Sequence, residues 1–100
     1  MTELTKENFN ATVDQFDKIL LFAYKENHGA SFIGLSLIEE IDRLVGKDFQ
    51  ICLVNVDTEP EISDLLSISD PPEYICIKNS KIHKRAIQLN YSNHILDLLK

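Results

Sequence analysis

The sequence predicts an α/β fold in which a mixed β-sheet lies between two layers of helices, a three-layer α/β/α sandwich. Apolar runs of strand length alternate with segments of helical periodicity in the order α-β-α-β-α-β-β-α. The last two strands are separated only by the turn-like residues 78–81, which predicts a C-terminal antiparallel hairpin, followed by a final helix. A chain of 100 residues, 44% of them apolar, has the size of one domain spanning residues 1–100.

The first helix and the first strand are predicted from contrasting apolar patterns. Thr5 and Glu7 form a capping signal ahead of apolar residues spaced three and four apart, namely Phe9, Val13 and Phe16. Residues 19–24 are a continuous apolar run, as expected of a strand that is buried on both faces. This strand should therefore be central in its sheet.

The second helix is the best specified. From Phe32 onward one helical face carries apolar residues, while Glu39, Glu40 and Arg43 fall on the other. Gly46 suits the left-handed position at which helices end. The residues predicted to face the core are Ile33, Leu37, Ile38, Ile41, Leu44 and Val45.

A second buried strand, residues 50–56, precedes a short helix in which Pro60 occupies the first turn and which runs through Leu66. The order strand-helix-strand then occurs twice. We expect two right-handed crossovers, which place helices on both faces of the sheet.

The remaining elements follow a break at Asp70-Pro71-Pro72. Strands are predicted over 74–77 and 82–89, and Ser92 offers an N-cap for the last helix. No internal repeat or linker interrupts this order.

Charge narrows the classes of partner. Sixteen acidic against ten basic residues give a net charge of -6, and the densest basic stretch, Lys78 to Arg85, is typical of a solvated hairpin. We therefore expect no nucleic-acid partner.

No apolar run approaches the roughly 20 residues needed to cross a bilayer, and the N-terminus lacks the pattern of a secretion signal. The sequence predicts a cytoplasmic protein without a membrane partner.

Cys52 and Cys76 are the only cysteines, and each lies inside an apolar run, where a free cysteine behaves as a small buried hydrophobe. Two cysteines are too few for a disulfide framework. They have no metal-ligand spacing with His28, His83 and His94. The sequence predicts neither a metal site nor a cofactor.

The order of elements and several collinear fragments resemble the thioredoxin family over nearly the whole chain. The fragments are Leu4-Thr5-Lys6-Glu7-Asn8-Phe9, Leu37-Ile38-Glu39-Glu40-Ile41, Val54-Asn55-Val56-Asp57 followed by Pro60-Glu61, and Ser69 to Lys78 ending in Asn79. The resemblance implies a thioredoxin-like fold. It also implies that Pro72 is the cis-proline of the family.

The resemblance places a degenerate motif where the family has two cysteines. His28 and Ser31 fall at the positions of the attacking and resolving cysteines, with Gly29 retained and Ala30 in place of proline. Thiol-disulfide exchange needs a thiolate and a second thiol, and serine can supply neither. Dithiol catalysis is therefore not expected at this motif.

Cys52 and Cys76 are not expected to replace that pair. On strands flanking the central one, their Cα atoms should be roughly 9–10 Å apart, two spacings of about 4.8 Å. A disulfide requires a separation below about 7 Å. The two cysteines therefore should not bridge in the folded chain.

Further departures from the resemblance surround the motif. Phe22 stands where the family has a buried aspartate that accepts a proton, and Leu53 replaces a nearby lysine. Pro71 precedes the cis-proline, at a position whose N–H and C=O bind an extended peptide in the family, and proline has no N–H to donate. Tyr24 and Asn27 replace two tryptophans.

The combined losses favour a redox-inactive protein-binding, chaperone-like or scaffold module whose partner is a protein or peptide. Its oligomeric state is left open. Two alternatives remain: an atypical oxidoreductase in cell redox homeostasis that uses a partner thiol, glutathione or Cys76, and a subunit of a larger assembly. The predicted binding groove consists of Tyr24, Asn27, His28, Asp70, Pro71, Pro72 and Tyr91.

The motif itself allows two interpretations. A neutral His28 beside Ser31 could act as a base next to a nucleophile, although no acidic residue is clearly placed to orient the histidine. The structural interpretation is that Ser31 caps or begins the helix, Gly29 keeps a tight turn and His28 is exposed.

Overall fold

A computed structural model describes residues 1–100 and shows a five-stranded mixed sheet between two layers of helices. The strands are β1 (Thr2–Glu3), β2 (Lys18–Tyr24), β3 (Gln50–Asn55), β4 (Glu73–Lys78) and β5 (Lys81–Ile87). The helices are α1 (Phe9–Gln15), α2 (Gly29–Val45), α3 (Pro60–Leu65) and α4 (Ser92–Leu98). The strands lie in the order β1-β3-β2-β4-β5 across the sheet. The predicted three-layer α/β/α architecture is confirmed.

Strand β2 is central, as its apolar run predicted. It pairs in parallel with β3 and antiparallel with β4. Successive side chains of a strand point to opposite faces, and β2 supplies both cores: Ile19, Leu21 and Ala23 on one face, Leu20 and Phe22 on the other. All five side chains are fully buried.

Each face of the sheet is covered by two helices. Phe9 and Val13 of α1 and Ile62 of α3 pack on the face that contains Leu21. Ile38 of α2 and Ile95 of α4 pack on the face that contains Phe22. The connection between β2 and α2 leads into the degenerate motif.

Strand β1 was not predicted, and it changes the connections. It is two residues long and pairs in parallel with β3. The parallel connections are therefore β1-α1-β2 and β2-α2-β3. Because β4 is antiparallel to β2, the expected second crossover through α3 is wrong: α3 joins strands of opposite direction.

Two helix starts differ from the predicted caps. The first helix begins at Phe9 with Asn8 as N-cap. Thr5 opens the preceding turn, where its N–H donates to Asn8 Oδ1 at 2.8 Å. In the last helix Ser92 is the first helical residue and Tyr91 is the N-cap.

Helix α2 begins at Gly29, two residues before Ser31, which was expected to cap or begin it. Four of the six predicted core residues, Leu37, Ile38, Ile41 and Val45, pack into the core. The buried residues are Ser31, Gly34, Ile38 and Ile41, spaced three and four apart. Ile33 and Leu44 were predicted to face the core, but they are 59% and 60% exposed. Gly46 ends the helix at φ +55°, as predicted.

The hairpin between β4 and β5 is confirmed. Asn79 and Ser80 form its turn and both have positive φ, as type I′ turns require. None of the helices is both long and apolar enough to span a membrane.

Candidate functional site

The loop between β2 and α2 is held by the end of β3. Asn55, which is buried, donates from Nδ2 to Glu26 Oε1 at 2.7 Å. The N–H of Glu26 donates to Asp57 Oδ2 at 3.2 Å, and the N–H of Asp57 donates to Asn55 Oδ1 at 3.0 Å. These bonds fix the loop that delivers His28 to the start of α2.

His28 and Ser31 bond to each other at the start of α2. His28 Nδ1 lies 2.9 Å from Ser31 Oγ, and the N–H of Lys25 donates to the same Oγ at 3.1 Å. A hydroxyl oxygen can accept two hydrogen bonds and donate one, so either ring tautomer of His28 satisfies this contact, and Nε2 makes no hydrogen bond within the protein. Ser31 thereby orients His28.

This arrangement corrects the expected roles of the motif. Ser31 is the third residue of α2 and does not cap it, because the N-cap is His28. The positive φ of the turn belongs to Asn27, at +52°, and not to Gly29. His28 is half-buried, although it was expected to be exposed.

The His28–Ser31 pair does not form an open nucleophile site. Ser31 is only 3% exposed, and its oxygen is already engaged by Lys25 and His28. No acidic side chain hydrogen-bonds the imidazole. The observed bonds support a positioning role for Ser31.

The Tyr24 cleft, of about 410 Å³, lies on one side of His28. Tyr24 lines this cleft, and its ring stacks on Phe22 at a centroid distance of 6.1 Å. The Tyr24 hydroxyl donates to Glu3 Oε1 at 2.6 Å, and burial together with this bond raises the pKa of Tyr24. The lining residues are Tyr24, Lys25, Asn27, His28, Gly29, Ser31, Phe32 and Leu35.

The Pro72 cleft, of about 470 Å³, lies on the other side of His28. The Pro71-Pro72 peptide bond is cis, as the resemblance implied. Asp70 at its rim is exposed and forms no ion pair. The lining residues are His28, Ala30, Ile33, Asp70, Pro71, Pro72, Gln88, Leu89 and Asn90.

The predicted groove is thus divided in two by His28. Tyr24 and Asn27 line one cleft, while Asp70 and the two prolines line the other. Tyr91 lines neither cleft. It caps α4, and its ring lies edge-on to His94 at 5.6 Å.

Phe32 and Ile33 are the site residues that the sequence interpretation missed. They are 74% and 59% exposed, and each lines one of the two clefts. Both residues fall outside the buried face of α2, which carries Ser31, Gly34 and Ile38. Their adjacency to the motif was the available signal.

Behind the clefts, the position at which the resemblance implies a proton-accepting aspartate is apolar. Phe22 is fully buried, lies beside Leu53 in the strand register, and contacts the Tyr74 ring at a centroid distance of 5.2 Å. The Tyr74 hydroxyl is buried without a hydrogen-bond partner. Burial raises the pKa of Tyr74 to about 12.

The two thiols are buried in the protein core and are not exposed at this site. Cys52 and Cys76 are fully buried and belong to the cores on opposite faces of the sheet. Burial raises the pKa of Cys52 to about 12 and also raises the pKa of Cys76. A thiol with a raised pKa carries little thiolate at neutral pH, and thiolate is the reactive form.

No three His, Cys, Asp or Glu side chains are grouped so that they could hold a metal ion. His83 lies on β5 and His94 on α4, whereas His28 precedes α2. The histidines are therefore not brought together.

No protein-family model matches the sequence, and comparison with curated proteins finds no match. Solved structures do match. One is a chain from a study of the thiol-resolving mechanism in yeast mitochondrial 1-Cys peroxiredoxin via glutathione/thioredoxin systems, with a TM-score of 0.89 and 18% identity. Another is oxidized mitochondrial thioredoxin 3 from Saccharomyces cerevisiae, with a TM-score of 0.89 and 17% identity.

Both alignments cover 99% of this chain and 92% of the other. The likeness therefore extends over all the helices and strands, including the cis peptide bond region and the start of α2. The chain has a thioredoxin-like fold.

Proposed function

We propose that the chain is a redox-inactive, thioredoxin-like protein-binding module that engages a peptide segment at the Tyr24 and Pro72 clefts. One observation carries the proposal. His28 and Ser31 bond to each other at the start of α2, while both sulfur atoms of the chain are buried on opposite faces of the sheet. The exposed surface at this position offers binding groups and no thiol.

The composition of the two clefts suits a partner with apolar side chains. Phe32 and Ile33 project large apolar surface next to each other, one along each cleft. Exposed apolar groups rimmed by polar ones are typical of protein interaction sites. A segment that crosses His28 would cover both residues.

Polar groups between the clefts would orient such a segment. With Nδ1 engaged by Ser31, Nε2 of His28 remains available to hydrogen-bond the segment. Pro71 has no N–H, so main-chain recognition beside the cis-proline can use only its carbonyl. Side-chain contacts therefore carry more of the recognition here than a main-chain clamp would.

The alternative of an atypical oxidoreductase needs a sulfur that a partner thiol or glutathione can reach. Cys52 and Cys76 are both 0% exposed.

A role as a subunit of a larger assembly would use the same clefts for one permanent partner. The mass of the native complex by size exclusion separates that case from a free-standing binder.

The test uses the insulin B chain, which aggregates after dithiothreitol reduces insulin. The protein should delay the rise in light scattering when present at stoichiometric amounts. A Phe32→Glu/Ile33→Glu variant should lose this effect. The matched control is Leu44→Glu/Leu65→Glu, which changes two side chains that are 60% and 66% exposed away from the clefts.

The pattern across the three proteins decides the result. Delay by the parent and the control, without delay by the Phe32→Glu/Ile33→Glu variant, supports the proposal. No delay by the parent, or equal loss in both variants, overturns it. Circular dichroism confirms that each variant is folded.

A further inference from the structure

Strand β5 is an open edge of the sheet, and none of its residues lines either cleft. It pairs only with β4, so the main-chain groups on its other side have no strand partner. Its residues are exposed apart from half-buried Ala86. Two isoleucines, Ile82 and Ile87, are 46% and 41% exposed. An edge with free N–H and C=O groups is a template for an added strand.

The charge around this edge is opposite to that of the whole chain. The chain has a net charge of -6, yet no acidic residue occurs between Glu73 and Asp97. The same stretch contains Lys78, Lys81, Lys84 and Arg85. Arg85 is engaged by the buried Glu73 carboxylate. Lys81 and Lys84 form no ion pair and remain available.

A β-bulge limits where another strand can pair regularly. Ile82 is opposite Ile77 and Lys84 is opposite Cys76, so His83 is the extra residue of the bulge. The regular part of the edge is therefore 84–87. Within it Lys84 and Ile87 fall on opposite faces, since side chains alternate along a strand.

We propose that the outer edge of β5 over residues 84–87 accepts an extended, acidic segment of a partner protein as a sixth strand. Main-chain hydrogen bonds supply the strand addition. Acidic side chains opposite Lys84 supply the charge complementarity. None of these four residues lines a cleft, but the surface ends next to Gln88 of the Pro72 cleft. It gives the chain a second means of assembly.

Two other occupants fit the observations less well. A second copy of β5 would bring two lysine-containing strands together, and like charge along an edge opposes edge-to-edge pairing. A nucleic acid would meet a chain of net charge -6. The large apolar side chains exposed along β5 are isoleucines, which do not stack on bases, and His83 at the bulge is the one exposed ring on this strand.

The probe is a fluorescein-labelled eight-residue peptide of alternating glutamate and valine, and fluorescence anisotropy measures its Kd. Lys84→Glu should weaken binding by about tenfold, because an attraction becomes a repulsion. Lys47→Glu, an exposed lysine in the α2–β3 connection, should leave the Kd unchanged. Lys84→Gln, which adds no repulsion, should fall between the parent and Lys84→Glu.

Two further arms separate strand addition from general attraction of charge. N-methylation of alternate peptide residues removes ladder donors, and it should abolish binding. Amide hydrogen exchange should show new protection confined to β5. Equal binding of the N-methylated peptide, equal effects of Lys84→Glu and Lys47→Glu, or tighter binding of an oligodeoxythymidine would overturn the proposal.

Discussion

Gly34 of α2 leaves the space that the Phe22 ring occupies. A Cβ built at Gly34 would come within 2.8 Å of Phe22 Cε1 and Cζ, and within 2.7 Å of the Tyr74 hydroxyl. Real Cβ atoms do not approach other atoms so closely. The missing side chain of Gly34 therefore lets α2 pack directly onto the aromatic pair behind the clefts.

Gly34→Ala should destabilise the fold by about 1–3 kcal/mol, because overpacking outweighs the gain in helix propensity. Gly29→Ala is the matched control, since a Cβ there has nothing within 4 Å. Urea unfolding of both variants measures the free energy of unfolding. Equal stabilities of the two variants would show that α2 does not pack on Phe22 as described.

Tyr74→Phe should leave the free energy of unfolding unchanged or raise it by about 1 kcal/mol. The Tyr74 hydroxyl is buried without a partner, and an unsatisfied buried polar group costs about 1–3 kcal/mol. Its removal keeps the ring contact with Phe22. A loss of stability would instead mean that the hydroxyl makes a stabilising contact.

Phe22→Asp should destabilise the fold by several kcal/mol, about 4 or more, through lost packing and a buried unpaired carboxylate. Phe22 is fully buried beside Leu53, within a cluster of apolar side chains. Phe22→Leu, which keeps the site apolar, should cost less. Thermal unfolding from pH 5 to pH 8 compares the two, and a neutral effect of aspartate contradicts the register of β2.

Stability should fall at alkaline pH because of the buried thiols. The pKa of Cys52 is raised from the ordinary 9.0 to about 12, so the unfolded chain loses this proton at lower pH than the folded chain. The contribution is complete below pH 9 and is lost as pH rises toward 12. Between these values the slope reaches about -1.4 kcal/mol per pH unit.

Cys52→Ala should flatten that slope while lowering stability at all pH values through the lost core contact. Urea unfolding at pH 8, 9 and 10 measures the free energy of unfolding of both proteins and therefore the slope. An unchanged slope in the variant would assign the alkaline loss to other groups, such as Tyr74.

Much of the fold could be predicted because several signals are local. The continuous apolar run of β2 and the positive φ of Gly46 depend on residues adjacent in sequence. Strand β1 could not be predicted, because two polar residues have no periodicity. Only its main-chain pairing with β3, beside fully buried Leu4, makes it a strand.

The site was predictable in outline and not in arrangement. The degenerate motif, the cis-proline and Tyr24 were expected from the resemblance to the thioredoxin family. The burial of Ser31 and Gly34 and the exposure of Ile33 depend on how closely α2 packs against Phe22 and Tyr74. That close packing is tertiary, and periodicity alone does not determine it.

The proposed function requires that this chain bind protein without exchanging thiols and disulfides. The most direct test counts the thiols released from insulin by dithiothreitol, with and without the protein, in quenched and alkylated samples. We predict the uncatalysed rate. A His28→Cys/Ser31→Cys variant shows whether restoring both sulfurs confers activity on the same scaffold. Thiol release above background by the unaltered chain would contradict the proposed redox-inactive function.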